Sequence, residues 1–156
     1  MIELDKFIKI FEGLTSAYGQ TIKTDQFSEK GKHKTKSFTI SNPVTKKLWR
    51  EHLEGKDPAL GIVPINKENK CKWGCIDIDT YPFDHKKFIQ KLKEKNIPMI
   101  VCRSKSGGAH AFLFTKDFVP ATVMRVKLKL IASAMGFAGV EIFPKQDYIR
   151  VDRGDT

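Results

Sequence analysis

Two aspartates stand one residue apart inside an apolar run, Cys75-Ile76-Asp77-Ile78-Asp79. Side chains on a β-strand alternate between faces. If Ile76 and Ile78 turn to a core, Asp77 and Asp79 share the opposite surface. Further on, Ser104-Lys105-Ser106-Gly107-Gly108 reads as a tight turn leading into a strand. In that strand Ala111 and Leu113 suit the core side, which leaves His110, Phe112 and Phe114 facing the way the aspartates face. In Val140-Glu141-Ile142-Phe143 the same alternation sends Glu141 and Phe143 outward. Three carboxylates and one histidine then meet on one surface. Crowded carboxylates repel one another, and a hard divalent cation relieves the repulsion. Mg²⁺ or Mn²⁺ prefers carboxylate oxygen, and two such ions ~3.5–4 Å apart serve phosphoryl and nucleotidyl transfer. The plainer reading of an Asp-x-Asp pair is a solvated strand edge. Flanking isoleucines, with a His and a Glu opposite, favour the chemical reading.

The turn adds a second signal. Ser104 and Ser106 offer hydroxyls and Lys105 a cation. Gly107 and Gly108 let backbone N–H groups come close to an anion. A hairpin that merely needs glycine looks the same in sequence. His110, directly after the turn on the carboxylate side, suits a donor to a triphosphate oxygen.

These residues need a scaffold. Trp73–Asp79 reads as a strictly alternating strand. Pro82 and Asp84 open a helix from about His85 to Lys95, with Phe88, Ile89 and Leu92 as its stripe. Pro98–Arg103 reads as a buried strand and Ala109–Phe114 as its returning partner. A helix from Pro120 to Met135 has Val123, Val126, Leu130 and Ile131 as its apolar stripe, and Gly136 stops it. Val140–Phe143 is the last strand. The order β-α-β-β-α-β predicts an α+β fold: a split βαβ, RRM- or ferredoxin-like sheet over residues 71–156. The first and third strands lie in the middle, and the fourth lies beside the first.

An N-terminal α/β extension, residues 1–70, is expected to pack on this sheet within a single 156-residue domain. It opens with an amphipathic helix over 3–14 (Leu4, Phe7, Ile8, Phe11, Leu14). A lysine-dense loop or edge hairpin follows from Tyr18 to Ser37, with Lys30, Lys32, Lys34 and Lys36. A helix over Val44–Leu53 has Asn42 as N-cap and Pro43 at its first position. Ala59–Ile65 suits an edge strand. Phe27, Phe38, Ile62 and Ile65 are the side chains expected to cover the open-face aromatics Phe112, Phe114 and Phe143. The polar ending Arg153–Thr156 predicts a chain that continues.

Composition bounds the partners. Of 156 residues, 28 are Lys or Arg and 18 are Asp or Glu, a formal net charge of +10 that points to a polyanion such as nucleic acid or nucleotide phosphate. No apolar run reaches membrane-spanning length. The N-terminus does not read as a signal peptide. Three cysteines, Cys71, Cys75 and Cys102, fit a reducing cytoplasm, and their spacing lacks the second ligand pair a structural zinc requires.

The ordered set resembles the archaeo-eukaryotic primase superfamily, the primase-polymerases. Its carriers are the hydrophobic-Asp-x-Asp strand ending at Asp79, the Gly turn leading to His110, and Glu141 in Val140-Glu141-Ile142-Phe143-Pro144-Lys145-Gln146. With His52-Leu53-Glu54-Gly55 and Leu60-Gly61-Ile62-Val63-Pro64, the likeness is greatest to the branch of TOTE conflict systems and phage primase-polymerases. It covers roughly residues 45–156. The resemblance implies primase or DNA polymerase activity on a single-stranded DNA template, with Mg²⁺ or Mn²⁺ held by Asp77, Asp79 and Glu141. It assigns the nucleotide to Ser104, Lys105, Ser106, Gly107, Gly108 and His110, and Lys145 to the phosphate or template side. It further implies nucleoside triphosphates as substrates, a helicase in the same chain or system, no membrane, and the cytoplasm of a bacterial, archaeal or phage-infected cell. Lys105 stands where relatives often carry Arg, and Glu141 where many carry Asp.

Two rivals share the topology. A non-catalytic RRM-like module would display aromatic and basic residues centrally, not two aspartates. A rolling-circle nuclease would need paired histidines and a helical tyrosine, whereas His110 lacks a His partner and Tyr18, Tyr81 and Tyr148 fall in predicted loops.

Overall fold

A computed structural model describes residues 3–27 and 33–149. The fold is α+β, with four helices and two antiparallel sheets among the described residues. The expected C-terminal turn at Arg153–Thr156, together with Lys30 and Lys32, lies outside the described residues. The chain divides into two compact units, one within Met1–Asn66 and one at Lys67–Tyr148, and Ile149 groups with the first.

In the first unit, α1 (Leu4–Ile10) and α2 (Lys46–Leu53) accompany a three-stranded sheet of β1 (Tyr18–Phe27), β2 (His33–Ile40) and β3 (Ala59–Gly61), in the order β2-β1-β3. In the lysine-dense stretch the described strands β1 and β2 pair antiparallel, with Tyr18 opposite Ile40. Tyr18, Trp49 and Leu60 form its buried centre, with Phe7, Phe11 and Leu48 against them. The Phe7 ring meets Trp49 edge-on at 5.9 Å. Phe27 and Phe38 are exposed.

Helix α2 begins later than expected. Thr45, not Asn42, is its N-cap, and the Thr45 hydroxyl accepts from the Leu48 N–H at 3.3 Å. A hydroxyl facing the first-turn amides decides the start more strongly than the Asn-Pro signal ahead of it. Thr45→Ala should therefore lower stability by about 1 kcal/mol, while Asn42→Ala stays within about 0.5 kcal/mol; paired urea titrations check this. Helix α1 is likewise shorter than its apolar pattern, because Phe11 leaves helical geometry as the C-cap.

The second unit runs β4 (Lys70–Ile78), α3 (His85–Glu94), β5 (Ile100–Arg103), β6 (Ala109–Pro120), α4 (Ala121–Ala134) and β7 (Glu141–Phe143). Its sheet order is β5-β6-β4-β7, all antiparallel. The unit's first and third strands are therefore central, and its last lies beside its first. Ile76, Ile78, Ala109, Ala111, Leu113 and Ile142 pack with Phe88 and Leu92 of α3 and Met124, Leu128 and Ile131 of α4 in one core. Both helices thus cover the same face of the sheet.

Two expectations are corrected here, for β5 and α4. Ahead of the alternating Trp73–Asp79 stretch, the β4–β6 register shifts between Cys71 and Trp73. This bulge turns Cys71 into the helix-side core and rephases the strand so that Trp73, Cys75 and Asp77 share the other face. The Pro98–Arg103 run is an edge strand with Ile100 and Cys102 exposed, because only β6 pairs with it. On α4 the buried stripe is Ala121, Met124, Leu128, Ile131 and Ala132. Val123, Val126 and Leu130 are each more than half exposed. Among the described residues, no helix is long and apolar enough to cross a membrane.

Candidate active site

Asp77 lies directly opposite His110 of β6 on one side and Glu141 of β7 on the other. Directly paired residues in adjacent strands project to the same face. Ile76 and Ile78 go to the helices, so this face is the one away from them. Asp79 stands just past the end of β4. The expected convergence of Asp77, His110 and Glu141 is present in the register itself.

The face has two halves. Toward the end of β4 stand the carboxylates and His110. Away from that end, Trp73, Phe112 and Phe114 form an aromatic row, with Trp73–Phe112 and Phe112–Phe114 centroids both 6.1 Å apart. His110 meets Phe112 edge-on at 6.2 Å and joins the halves. Cys75 is buried on this face, and desolvation first, then the Asp77 charge, push its thiol up to about 12. Burial alone pushes Cys71 up to about 11. Both are free thiols on opposite faces, so they make no zinc pair.

Each carboxylate of the cluster has a polar side chain beside it. His110 Nε2 lies 3.4 Å from Asp77 Oδ1. Tyr81 Oη donates to Asp79 Oδ1 at 2.8 Å. Lys145 Nζ is 2.6 Å from Glu141 Oε1 and 5.0 Å above the Phe143 ring. The His110 contact lacks hydrogen-bond geometry, and Asp77 Oδ1 remains buried without a hydrogen bond. Burial is the first cause that raises the Asp77 pKa; His110 opposes it, while the charges of Asp79 and Glu141 add to it.

That pattern bears on a divalent ion. Among the described residues no group of three His, Cys, Asp or Glu forms a ready-made metal cage. Tyr81 and Lys145 engage the outer two carboxylates. The donor chemistry fits a hard cation: the set offers carboxylate oxygen, one oxygen of Asp77 is buried and unsatisfied, and the charges of Asp79 and Glu141 raise the Asp77 pKa.

The turn is placed beside this cluster. Ser104 N–H donates to Gly108 O at 2.9 Å, and Gly107 N–H donates to Ser104 O at 3.0 Å. Ser104 is buried and its Oγ has no hydrogen bond, whereas Lys105 and Ser106 are exposed. Gly107 has φ +99°, open to glycine alone. At Gly108 the constraint is close approach, since a Cβ there would sit 2.1 Å from Ile78 O. The second glycine is therefore required by β4 itself, whatever else the turn binds.

Sequence reasoning missed two participants. His85, the first residue of α3, donates from Nε2 to Gly108 O at 2.9 Å and so holds the turn from the helix side. Its ring packs edge-on against Phe83 at 4.8 Å. No sequence signal marks it. Tyr81 could have been found, because it lies two residues beyond Asp79.

The model of the archaeo-eukaryotic primase domain of TOTE conflict systems matches residues 6–154. The chain belongs to that family. This primase-family domain is thus a member of a primase-polymerase type of nucleotidyltransferase family. Domains of this family generally depend on divalent metal, in keeping with the donor chemistry of the cluster. No curated protein matches the chain.

Proposed function

We propose that this primase-family domain is the metal-dependent catalytic core of a primase and DNA polymerase, adding nucleotides on a single-stranded DNA template. The observation that carries the reading is the register that sets Asp77 between His110 and Glu141 on the face away from the helices. Asp77, Asp79 and Glu141 would hold Mg²⁺ or Mn²⁺. When bound, these ions supply Lewis-acid activation of the attacking hydroxyl and relieve charge on the leaving phosphates.

The chain's own groups do the rest. Ser104, Lys105, Ser106 and the N–H groups around Gly107 and Gly108 receive the triphosphate, whose negative charge suits a basic turn. His110 donates to a phosphate oxygen. Lys145, now on Glu141, transfers its charge to the phosphate or template side. Trp73, Phe112 and Phe114 keep the neighbouring half of the face apolar, which strengthens electrostatic interactions at the acidic end. A formal net charge of +10 favours a nucleic-acid template. A helicase in the same chain or system, in the cytoplasm of a bacterial, archaeal or phage-infected cell, is the companion this role requires.

Incubation with a primed single-stranded template, nucleoside triphosphates and Mn²⁺ should give extension that chelation abolishes. Metal-independent RNA binding with no incorporation would instead make the chain an RRM-like binding module.

A further inference from the structure

The paired strands β1 and β2 of the first unit have two chemically different faces. Alternation puts Tyr18, Gln20 and Ile22 of β1 on one face, opposite Ile40, Phe38 and Lys36 of β2, with Lys34 next along β2. The other face carries Gly19, Thr21, Ser37 and Thr39 over the same stretch. The first face changes character along its length. Near Tyr18 it is closed, because Tyr18, Leu60 and Ile40 pack with Trp49 and Phe7. Further out it is open: Ile22 is 38% and Phe38 37% exposed, and Lys34 and Lys36 are exposed beside them. In sequence the two strands carry Lys23, Lys34 and Lys36 against a single acid, Asp25.

Lysine on an edge strand can serve simply to keep other chains from pairing with it, and β2 is an edge strand among the described residues. An open aromatic ring in the same row works against that role, since exposed apolar surface invites association. Alternate residues of a strand stand about 6.8 Å apart, a step comparable to that between neighbouring phosphates of an extended single strand. Lys34, Lys36 and Phe38 thus make a row of two cations and one ring at that step. A single strand supplies phosphates for the cations and an unpaired base for the ring. A duplex keeps its bases stacked on one another, and a second copy of a chain with net charge +10 would bring lysine to lysine. We propose that the open half of this face holds single-stranded DNA, with Lys34 and Lys36 on successive phosphates and a base stacked on Phe38. This rests on the reading of the chain as acting on a DNA template, and it gives that strand a holding surface within the first unit alone. Binding there tolerates any sequence, because every base has a face to stack.

The test titrates the whole chain into labelled oligo-dT, oligo-U or duplex DNA and reads fluorescence anisotropy across about 50–200 mM NaCl. Chelator is present throughout, so that no cation draws the strand to the carboxylates. Lys34→Gln with Lys36→Gln should weaken oligo-dT binding by about tenfold at low salt and flatten the plot of log affinity against log salt by about 1.4, the share of two single-strand phosphates. Phe38→Ala should weaken it by at least about fivefold with the salt slope unchanged, and Phe38→Trp should bind like the wild type. Phe38→Leu keeps apolar bulk without a ring and should bind like Phe38→Ala; it carries the test if the alanine variant fails to fold by circular dichroism. Lys127→Gln with Lys129→Gln removes the same charge from exposed positions on α4 and should bind like the wild type. Three results overturn the surface: β2 variants that bind oligo-dT like the wild type, an equal slope change in the α4 control, or a Phe38→Ala loss as large on duplex as on oligo-dT. If the wild type still extends primers, the polymerase reading survives each of them. Losses confined to oligo-U overturn the assignment to DNA. A wild-type chain that holds oligo-dT through Lys34, Lys36 and Phe38 yet incorporates no nucleotide keeps the surface and overturns the polymerase reading.

Discussion

Asp77→Asn should cut metal-dependent nucleotide incorporation by at least about 10³-fold while making the metal-free protein more stable. The loss follows from its central place. Asp77 alone faces both His110 and Glu141, and removing a cation-holding charge forfeits several kcal/mol of transition-state stabilisation, about three powers of ten in rate. The gain follows from the same geometry without metal. Burial first, then the charges of Asp79 and Glu141, raise the Asp77 pKa above its ordinary 3.8. A carboxyl with a raised folded-state pKa favours folding when protonated. Its contribution is fully present below the unfolded value near 3.8 and is lost as the pH climbs through the raised value. At neutral pH the ionised Asp77 is a net cost, which the amide of Asn removes. The gain is limited, because water screens a partly open site. Melting curves against pH should therefore diverge above pH 4, with the variant higher. Added Mn²⁺ should reverse the order, since an ion at a hundred times its dissociation constant stabilises the wild type by about 2.7 kcal/mol and the variant hardly at all. A variant that extends primers as fast as the wild type would remove Asp77 from the chemistry.

Asp77 also shows why this part of the site was legible in the sequence. Period-two alternation is a local property, and Ile76 and Ile78 fix which way Asp77 faces as soon as a core exists on one side. His110 and Glu141 carry the same signal from Ala111 and Ile142. Helix α3 was legible because Asp84 is a real N-cap, accepting from the Lys87 N–H at 3.0 Å. Elsewhere the local signal was degenerate. Helix α4 carries two apolar stripes at helical spacing, one through Met124, Leu128 and Ile131, the other through Val123, Val126 and Leu130. Only the sheet beneath decides between them. In β5 an apolar run looks buried, but an edge position is a fact of topology and not of composition. The role of His85 rests on a contact with a turn more than twenty residues away, which no periodicity encodes.

Gly108→Ala should be the most damaging single methyl in the site, lowering the melting temperature by about 10 °C, the equivalent of about 3 kcal/mol in a chain of this size, and abolishing extension. The added Cβ would lie 2.1 Å from Ile78 O, 3.2 Å from Ile78 C and 3.3 Å from Ser104 Oγ. The first of these is backbone at the end of a central strand and has no rotamer through which to escape. Relief requires the start of β6 to move off the end of β4. Gly108 lies next to the Ile78–Ala109 pair, and the next pair along is Asp77 with His110. The same movement breaks the hydrogen bonds that Gly108 O accepts from Ser104 N–H and His85 Nε2. Stability and chemistry thus depend on one close approach, and the two losses should be inseparable in this variant. Thermal denaturation followed by circular dichroism, run beside primer extension at a temperature where the variant remains folded, measures both. Ser104→Ala is the contrast, since its buried Oγ makes no hydrogen bond in the turn and its removal should leave the melting temperature within about 2 °C, under 1 kcal/mol. If Gly108→Ala melted like the wild type, the turn would be free to shift away from β4, and the fixed spacing of His110 and the carboxylates would lose its structural basis.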